Sequence, residues 1–430
     1  MKAFDSHWRL GLERMYPLLA EFGHLEDKLQ IIQVAGTNGK GSVSYLTAGL
    51  LSAVTREPVG LYTSPHLEKL NERFQIVDDQ GRRPFPFEQV ELALARVAEA
   101  TKNLPSSLGP VTEFEAWTVA AVLLFYEAGL TNAVFEVGLG GRLDATTALP
   151  AKLAVICPID YDHLDRLGTD LASIAAEKAA IIRPGQPVVV AEQQAAATAV
   201  IEAVALEQRA RLIPVAERYQ ILEFTSAGTD FTWLAGNDQR YTFRLGLKGR
   251  QQVMNAACAL SAVEEYVGSG QLAQAQTRER IARFLAEAKW PGRFELLESH
   301  GQQVLLDVGH NPQAIKVLLE NLQLYFPDTP IWGVYGSLLD KDYRTVAALL
   351  TEYPFQGLVI TEPWSERKLS SRELAALFPP SMQIIEEADL ESAVELGLAK
   401  AKADRALVAI FGSFFLVGPA RTKLMQSVEK

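Results

Sequence analysis

The sequence predicts an α/β protein of two tandem domains: an N-terminal three-layer domain with a phosphate-binding loop and a small antiparallel edge sheet, followed by a C-terminal Rossmann-like α/β domain. Two observations lead to this fold class. From Gln30 onward, short β-branched runs alternate with amphipathic helical runs, which is the pattern of βα units around a parallel sheet. The chain has 430 residues, 48% hydrophobic and 22% charged, so it can bury a large core and is neither disordered nor fibrous.

The first domain is predicted to begin with five buried strands that share short apolar, β-branched runs. They are expected at 31–35, 59–63, 133–137, 153–158 and 188–191. Helices are expected between and after them, near 41–54, 87–103, 113–129, 170–182, 195–209, 252–267 and 277–288. Between 219 and 246, short alternating runs separated by glycine-containing turns predict hairpins and hence the small antiparallel sheet.

The domain boundary is predicted where Lys289-Trp-Pro-Gly-Arg-Phe294 breaks the helical periodicity, which gives domains of 1–294 and 295–430. After a strand at 295–299, the alternation of strand and helix resumes. Strands are expected at 304–308, 331–336, 357–361, 382–385 and 406–413, with helices at 312–324, 342–352, 371–377 and 388–402. A second domain of about 135 residues has a typical size.

Charge, cysteine content and hydropathy exclude several classes of protein. The net charge of −11 offers no basic surface for non-specific binding of nucleic acid. The two cysteines have neither disulfide-framework nor zinc-site spacing. The N-terminus lacks the apolar core of a secretory signal, and the longest uncharged apolar stretch, 116–126, is far shorter than the roughly 20 residues of a membrane span. We therefore expect a cytoplasmic monomer without nucleic-acid or membrane partners.

The segment Gly36-Thr-Asn-Gly-Lys-Gly-Ser42 follows the first strand and opens a helix, which is the context of a phosphate loop. Glycines let the backbone N–H groups turn inward, the helix N-terminus attracts anions, and Lys40 supplies a mobile positive charge. A glycine-rich turn without a ligand is the alternative. The nucleotide-binding residues are predicted to be Asn38, Gly39, Lys40, Gly41 and Ser42.

The loop is shorter than the common GxxxxGK[ST] form, and in this form it resembles the loop of the Mur-ligase superfamily, whose members activate a carboxylate with ATP and join it to an amine. The trailing Gly-Ser pair resembles the branch of folylpolyglutamate synthases and dihydrofolate synthases. Mur ligases of cell-wall synthesis carry a nucleotide-sugar-binding domain before the loop. Because little sequence precedes Gly36, we expect the folate branch.

Several further blocks resemble the metal site of the same family. Leu61-Tyr-Thr-Ser-Pro-His-Leu67 and Asn71-Glu-Arg-Phe74 resemble its TSPHL and NERF segments, which implies that Ser64 reaches magnesium and that Arg73 binds substrate. Glu136 leaves the end of an apolar strand, where a carboxylate can bind a hard cation together with Ser42. A helix cap or an ion pair with Arg142 is the alternative for Glu136.

The resemblance also implies a second magnesium ion, bound by His163 and by Lys178 in its carbamylated form. A structural histidine and a solvated lysine are the alternatives for these two residues. The expected cofactors are thus ATP and two Mg²⁺ ions.

Other blocks resemble the nucleotide and glutamate contacts of the family. In Gly249-Arg-Gln-Gln-Val-Met-Asn255, Asn255 is implied to read adenine, although Arg250 stands where the family has histidine. The resemblance further implies that Arg293 reaches ATP, that Asp307 and His310 face the nucleotide and the incoming glutamate, and that Ser413 binds substrate. An interface ion pair is the alternative for Arg293, and a helix cap is the alternative for Ser413.

Three segments resemble the pterin-contacting parts of bifunctional members: 10–14, 112–115 and 143–145. The implied substrate-binding residues are Thr112, Glu113, Phe114, Glu115, Leu143, Asp144 and Ala145. Asp144 is expected to hydrogen-bond the pterin, and Phe114 is expected to stack on it. A core position for Phe114 is the alternative.

Taken over nearly the whole chain, the resemblance implies a folylpolyglutamate synthase that also has dihydrofolate synthase activity. ATP would phosphorylate a folate or dihydropteroate carboxylate, and L-glutamate would attack the resulting acyl phosphate. The expected catalytic residues are Lys40, His163, Lys178, Arg293 and His310. Another amino-acid ligase of the superfamily and a non-catalytic nucleotide-binding protein are the alternatives.

Overall fold

The computed structural model describes residues 4–5, 9, 11–299 and 301–428. The chain divides into two compact units, one formed by Met1–Gly246 with Gln251–Ala288 and the other by Leu247–Arg250 with Lys289–Lys430. Each unit has a sheet whose strands are mostly parallel, which confirms the predicted α/β class. The domain boundary predicted after residue 294 stays a prediction; in this division residues 289–294 belong to the second unit.

The first unit contains an eight-stranded sheet with the order β4-β3-β2-β5-β1-β6-β7-β8. Strand β3 pairs antiparallel with both β2 and β4, and the other neighbouring strands pair parallel. The central strands β1, β2 and β5 are buried along almost their whole length, so both faces of the sheet are covered. The strands are β1 Gln30–Ala35, β2 Val59–Tyr62, β3 Phe74–Asp78, β4 Gly81–Pro84, β5 Asn132–Glu136, β6 Ala151–Ile156, β7 Pro187–Val190 and β8 Arg211–Pro214.

Ten described helices accompany this sheet: α1 Met15–Ala20, α2 Lys40–Thr55, α3 Phe87–Ala100, α4 Glu113–Glu127, α5 Leu164–Leu167, α6 Leu171–Ala179, α7 Ala195–Glu207, α8 Arg250–Val267, α9 Ser269–Leu272 and α10 Ala275–Glu287. Helix α4 is apolar almost all round and lies in the main core with Tyr62, Phe125 and Phe135. None of the described helices combines the length and hydropathy that a membrane span requires.

The antiparallel sheet predicted for 219–246 is present as a separate sheet of β9 Tyr219–Thr225, β10 Gly228–Leu234 and β11 Arg240–Leu245. Its strands pair in the order β11-β10-β9. Along β11, buried and exposed residues alternate, which is the pattern of a sheet with one solvated face.

The second unit is a six-stranded sheet with the order β12-β13-β17-β14-β15-β16, antiparallel only between β12 and β13. Its strands are β12 Glu295–Ser299, β13 Gln302–Asp307, β14 Ile331–Tyr335, β15 Gly357–Ile360, β16 Ile384–Glu386 and β17 Leu407–Phe411. Its helices are α11 Pro312–Tyr325, α12 Tyr343–Glu352, α13 Ser371–Ala375, α14 Leu390–Asp404 and α15 Phe414–Val428.

Candidate functional site

The phosphate loop connects β1 to α2 and is fixed by the segment that follows β6. Thr37 N and Asn38 N both donate to Pro158 O, at 2.9 and 3.3 Å. The Thr37 hydroxyl donates to Asp160 O and accepts from Asp160 N, both at 3.0 Å. Gly39 has φ of +86°, a left-handed conformation that side chains adopt rarely. The loop is therefore held in place before any ligand arrives.

Two lysines converge on one carbonyl of this loop. Lys40 Nζ donates to Gly36 O and Thr37 O, each at 3.1 Å, and Lys178 Nζ donates to Gly36 O at 2.9 Å. Burial of Lys178, which is 4% exposed, lowers its pKa to about 7. The positive charge of Lys40 acts in the same direction, and the carboxylate of Asp162 acts against both. Lys40 gives the loop positive charge of the kind that a polyphosphate requires, and Lys178 lies buried beside it.

Oxygen donors are available near the loop for a hard cation. Glu136 is the last residue of β5 and is 3% exposed, and its Oε2 accepts from Ser64 N at 3.0 Å. The buried hydroxyl of Ser42 lies in the first turn of α2. Arg142 pairs with Glu177, not with Glu136, so the ion pair considered as an alternative is wrong.

The chemistry of these donors fits magnesium. Mg²⁺ binds through one or two carboxylates and keeps waters and phosphate oxygens as its other ligands. Among the residues that the structure describes, no three His, Cys, Asp or Glu side chains are grouped to hold a metal by themselves. A single Glu136 with hydroxyl donors suits an ion that arrives with the nucleotide.

The loop that carries Ser64 is organised by residues 71–73. The carboxylate of Glu72 accepts from the backbone N–H groups of Leu67, Glu68 and Lys69 at 2.8, 3.1 and 2.8 Å. Asn71 Nδ2 donates to the backbone of the neighbouring segment, at Phe85 O. Glu72 was not predicted from the sequence, although a glutamate placed three residues after a turn begins is the signal of a capping box.

Arg73, predicted to bind substrate, lies in a buried position next to these groups. Its Nε donates to His66 Nδ1 at 3.0 Å, and its Cζ lies 4.2 Å from the centroid of the Trp117 ring. Burial and, second to it, the adjacent Arg73 charge lower the pKa of His66 to about 4, so the imidazole is neutral. His66 was named only as part of a motif, and its contact with Arg73 was not predicted.

Thr112 and Glu115, predicted to contact substrate, have structural partners that account for them. They form the capping box of α4, in which Glu115 Oε2 accepts from Thr112 N and Oγ1 at 2.8 and 2.9 Å. Arg14 Nε donates to both carboxylate oxygens of Glu115, at 2.9 and 3.1 Å. Three of these bonds end on Oε2 and one on Oε1, which ties Glu115 to the helix cap, and its predicted substrate contact stays a prediction. Leu10, at the start of the 10–14 segment, lies outside the described residues.

Phe114 and Glu113 differ from their neighbours because both are half-buried. The Phe114 ring lies 6.0 Å from the Tyr62 ring, and it packs against Gly138, where a Cβ atom would come within 2.5 Å of it. Phe114 is thus attached to the core along one side only.

Asp144, predicted to bind the pterin, holds its own loop instead. One oxygen accepts from Gly138 N and Leu139 N, both at 3.0 Å, and the other accepts from Thr146 N and Oγ1, at 3.0 and 2.6 Å. These four bonds fix the Asp144 carboxylate in its loop, and the predicted pterin contact of Asp144 stays a prediction. Its neighbours Leu143 and Ala145 are half-buried and buried.

His163 and Asn255 both follow the phosphate loop in the sequence, and the structure gives each a local partner. His163 precedes the short helix α5, with φ of +52° and its Nε2 3.8 Å from Asp162 Oδ1. Asn255 in α8 is buried, donates to Gln252 Oε1 at 3.0 Å, and lies against Gly39, where a Cβ atom would come within 2.7 Å of its Oδ1. Asn255 therefore lies beside the phosphate loop.

In the second unit, Phe414 brings two of the predicted residues together. Arg293 Cζ lies 5.3 Å from the centroid of the Phe414 ring, and the His310 ring lies 6.1 Å from it. Asp307 Oδ1 accepts from Gly309 N at 2.7 Å, and burial raises the pKa of Asp307 while the Arg293 charge opposes that rise. Phe414 was not predicted; an aromatic residue directly after the Gly-Ser pair at a strand end is the signal that could have indicated it.

Ser413, at the start of α15, accepts a hydrogen bond from Phe415 N at 3.1 Å through its hydroxyl. It is 2% exposed. This is the helix cap that was considered as the alternative to a substrate contact.

Comparison with known proteins gives two family matches. The Mur ligase middle domain matches residues 89–263, and the glutamate ligase domain of Mur ligases matches residues 292–414. A Bacillus subtilis (strain 168) protein named dihydrofolate synthase/folylpolyglutamate synthase is 34% identical over 343 residues, which are 78% of this chain and 77% of that protein.

Solved structures resemble this chain over most of its length. Mycobacterium tuberculosis folylpolyglutamate synthase complexed with ADP and AMPPCP has a TM-score of 0.87 and 30% identity, covering 97% of this chain and 96% of that one. A bifunctional folylpolyglutamate synthase/dihydrofolate synthase from Yersinia pestis, complexed with AMPPNP and Mn ion, has a TM-score of 0.81 and 29% identity, covering 97% and 94% of the two chains.

Proposed function

Since the chain belongs to the dihydrofolate synthase/folylpolyglutamate synthase family of ATP-dependent ligases, we propose that it joins L-glutamate to the carboxylate of a reduced folate and to that of dihydropteroate. The family and the ligase class predicted from the sequence are confirmed by the relatives described above. ATP and a divalent ion are its cofactors. The predicted cytoplasmic location and monomeric state remain part of the proposal.

One observation carries this proposal: Lys40 and Lys178 both donate to the Gly36 carbonyl within a loop whose backbone is already fixed. The Lys40 cation at a helix N-terminus suits a polyphosphate, and a second lysine buried at the same carbonyl would be hard to explain in a loop without a ligand. On nucleotide binding, Lys40 exchanges its two carbonyl partners for phosphate oxygens.

The reaction follows from the weakness of a carboxylate as an electrophile. ATP supplies the phosphoryl group that converts the acceptor carboxylate into an acyl phosphate, and the amine of L-glutamate then displaces phosphate and forms the amide. Mg²⁺ supplies neutralisation of the crowded negative charge. The protein's own task is to orient three substrates and to keep water from the acyl phosphate.

We assign the first magnesium ion to Ser42, Ser64 and Glu136. The second is assigned to His163 and to Lys178 as a carbamate, because a carbamate is a carboxylate and an ammonium group cannot bind a cation. A pKa of about 7 leaves about half of the Lys178 side chains as neutral amine near pH 7, the form that reacts with CO₂.

The remaining predicted residues keep ligand roles in this proposal. Asn255 reads the adenine base, and Arg293, Asp307 and His310 contact ATP and the incoming glutamate. The acceptor is bound by Arg73, Glu113, Phe114, Leu143 and Ala145, and Ser413 contributes a backbone or hydroxyl contact.

Phosphate release from ATP tests the proposal. We expect release to require Mg²⁺, L-glutamate and either dihydropteroate or tetrahydrofolate, and we expect a UDP-muramyl peptide to give none. Lys40→Ala should abolish it, whereas Lys152→Ala, a matched change at an exposed lysine of β6, should leave it unchanged. If no folate acceptor stimulates release, the proposed function is wrong.

A second arm of this assay tests Lys178. Lys178→Ala should remove acceptor-dependent turnover, and a short carboxylate such as acetate should restore part of it by taking the place of the carbamate. Lack of rescue in a folded variant would show that Lys178 does not act as a carboxylate.

A further inference from the structure

The guanidinium of Arg73 is buried, yet most of its donors have no partner in the described part of the chain. The residue is 7% exposed, and the only hydrogen bond of its side chain to described residues runs from Nε to His66 Nδ1. Its two terminal nitrogens, which carry four N–H groups, make no hydrogen bond to described residues. The terminal nitrogens are not sealed from solvent, and free donors on a largely buried guanidinium indicate a site that an acceptor from outside the chain can reach.

The guanidinium is held in one orientation from two directions. The Trp117 ring lies below it at 4.2 Å from Cζ and fixes its plane, while His66 binds Nε and fixes its rotation within that plane. At the other end of the residue, the Arg73 carbonyl accepts from Thr63 N at 3.1 Å, which ties it to the loop that carries Ser64.

The charges around Arg73 keep it protonated without neutralising it. Burial lowers the pKa of Arg73, and Tyr62 and the carboxylates of Glu136, Glu113 and Glu72 oppose that shift without forming an ion pair with Arg73. Glu136 is also the carboxylate that we assign to the first magnesium ion. The free donors of Arg73 are therefore close to the proposed reaction centre.

The hydrogen bond also defines the state of His66. To accept from Arg73 Nε, Nδ1 must carry a lone pair, so the imidazole is neutral with its proton on Nε2. In this tautomer Nδ1 serves Arg73, so His66 acts on the orientation of the guanidinium through this bond.

We propose that His66 is a positioning residue for the acceptor substrate: it holds the Arg73 guanidinium so that its two terminal nitrogens bind the reacting carboxylate in a bidentate pair. The proposal rests on the function proposed above. A planar guanidinium matches a carboxylate in geometry and charge, and fixing it in advance avoids the loss of side-chain entropy on binding. The pair also offsets the repulsion between the acceptor carboxylate and the triphosphate.

The test compares three variants of the full-length enzyme. His66→Ala removes the acceptor for Nε, whereas His66→Asn can replace it with Oδ1 at nearly the same position. His24→Ala is the matched control, because His24 is an exposed histidine of the same unit whose partner is Glu26. Steady-state assays give kcat and the KM of dihydropteroate, ATP and L-glutamate for each variant.

We expect His66→Ala to raise the KM of dihydropteroate by about tenfold or more, as when a hydrogen bond that orients a charged group is lost. The KM of ATP should stay within about twofold. His66→Asn should recover most of the affinity, and His24→Ala should behave as wild type. Should the alanine variant fail to fold by circular dichroism, His66→Gln takes its place, since its acceptor lies one bond too far to reach Nε in the same way.

A binding measurement without turnover identifies the group that Arg73 recognises. In the presence of AMPPCP, wild type should bind dihydropteroate more tightly than its carboxamide analogue, and His66→Ala should lose most of this preference. Equal effects on the acid and the amide would show that Arg73 binds another part of the substrate and would overturn the proposal.

The outcomes separate this inference from the proposed function. If wild type releases phosphate with dihydropteroate but His66→Ala keeps the wild-type KM, or if His66→Asn is as impaired as His66→Ala, the positioning role is refuted and the ligase activity stands. If wild type shows neither turnover nor binding of dihydropteroate, the proposed function itself fails.

Discussion

Replacing Glu115 by glutamine tests whether this residue belongs to the protein's framework or to its substrate site. Glutamine keeps the size of the side chain and retains one oxygen that can accept from Thr112 N in the capping box. What it removes is the negative charge that faces Arg14. The variant thus isolates the buried ion pair from the helix cap.

The expected loss of stability follows from the burial of the pair. The side chains of Arg14 and Glu115 are each 4% exposed, and Arg14 Nε lies 2.9 and 3.1 Å from the two carboxylate oxygens. Removing one partner of a buried pair costs about 3–5 kcal/mol. Arg14 keeps a contact with Glu13, which is 51% exposed and therefore screened by solvent, so we expect a loss of about 2–3 kcal/mol.

Helix α4 offers a matched control at its other end. Glu127 forms an ion pair with Arg96 in which both side chains are more than one third exposed. Glu127→Gln changes the same chemical group in the same helix and should cost about 0–1 kcal/mol. Because the protein has two units, the midpoints of urea unfolding are compared for the transition that contains α4, not as one global free energy.

A stability loss for Glu115→Gln no larger than that for Glu127→Gln would refute the assignment of Glu115 to the framework. The kinetic readout gives an independent check. If Glu115 binds the acceptor instead, Glu115→Gln raises the KM of dihydropteroate and leaves the unfolding midpoint at the wild-type value.

Two further predictions concern the phosphate loop. Gly39→Ala should weaken ADP binding by about tenfold or more, because a Cβ atom at φ of +86° is strained and would lie 2.7 Å from Asn255 Oδ1. The control Gly23→Ala, at φ of +68° with open space around it, should bind ADP as wild type does. Calorimetry measures ADP binding for both variants, and equal affinities would show that the loop adapts. The second prediction concerns the dependence of stability on pH. In the folded protein the pKa of Lys178 is lowered to about 7, whereas the unfolded chain keeps the ordinary value of 10.5. Between these two values the unfolded state binds more protons, so the stability of the first unit rises with pH. Urea midpoints from pH 6 to 9 should show this rise in wild type and a smaller one in Lys178→Met; parallel curves would contradict the buried position of the ammonium group.

The strands that could be predicted from the sequence are those buried on both faces. Strands β1, β5 and β7 appear as continuous apolar runs because helices cover both sides of the sheet. Strand β4, with the sequence Gly-Arg-Arg-Pro, is mostly exposed and pairs only with β3, so no apolar period marks it. Helix α15 contains Gly418 and Pro419, which are signals of a break, and its contacts with the second unit's sheet and α14 outweigh them.

The phosphate loop was predictable because its chemistry is local: strand, glycines, lysine and helix N-terminus all lie within 30–42. The roles of the acidic residues were not, since the same short pattern serves two purposes. Thr112 and Glu115 fit a ligand site, and they equally fit the S/T-x-x-E pattern of a capping box. What decides between the two is Arg14, which lies 101 residues away in the sequence.

The environment of Lys178 likewise depends on a contact that is distant in the sequence. The sequence around Lys178 is equally typical of a solvated lysine on a helix face. Its partner, the Gly36 carbonyl, lies 142 residues earlier, and only that contact buries it beside Lys40 and lowers its pKa. Local patterns thus identify where a ligand can bind, whereas the protonation and orientation of the groups that act on it depend on long-range contacts.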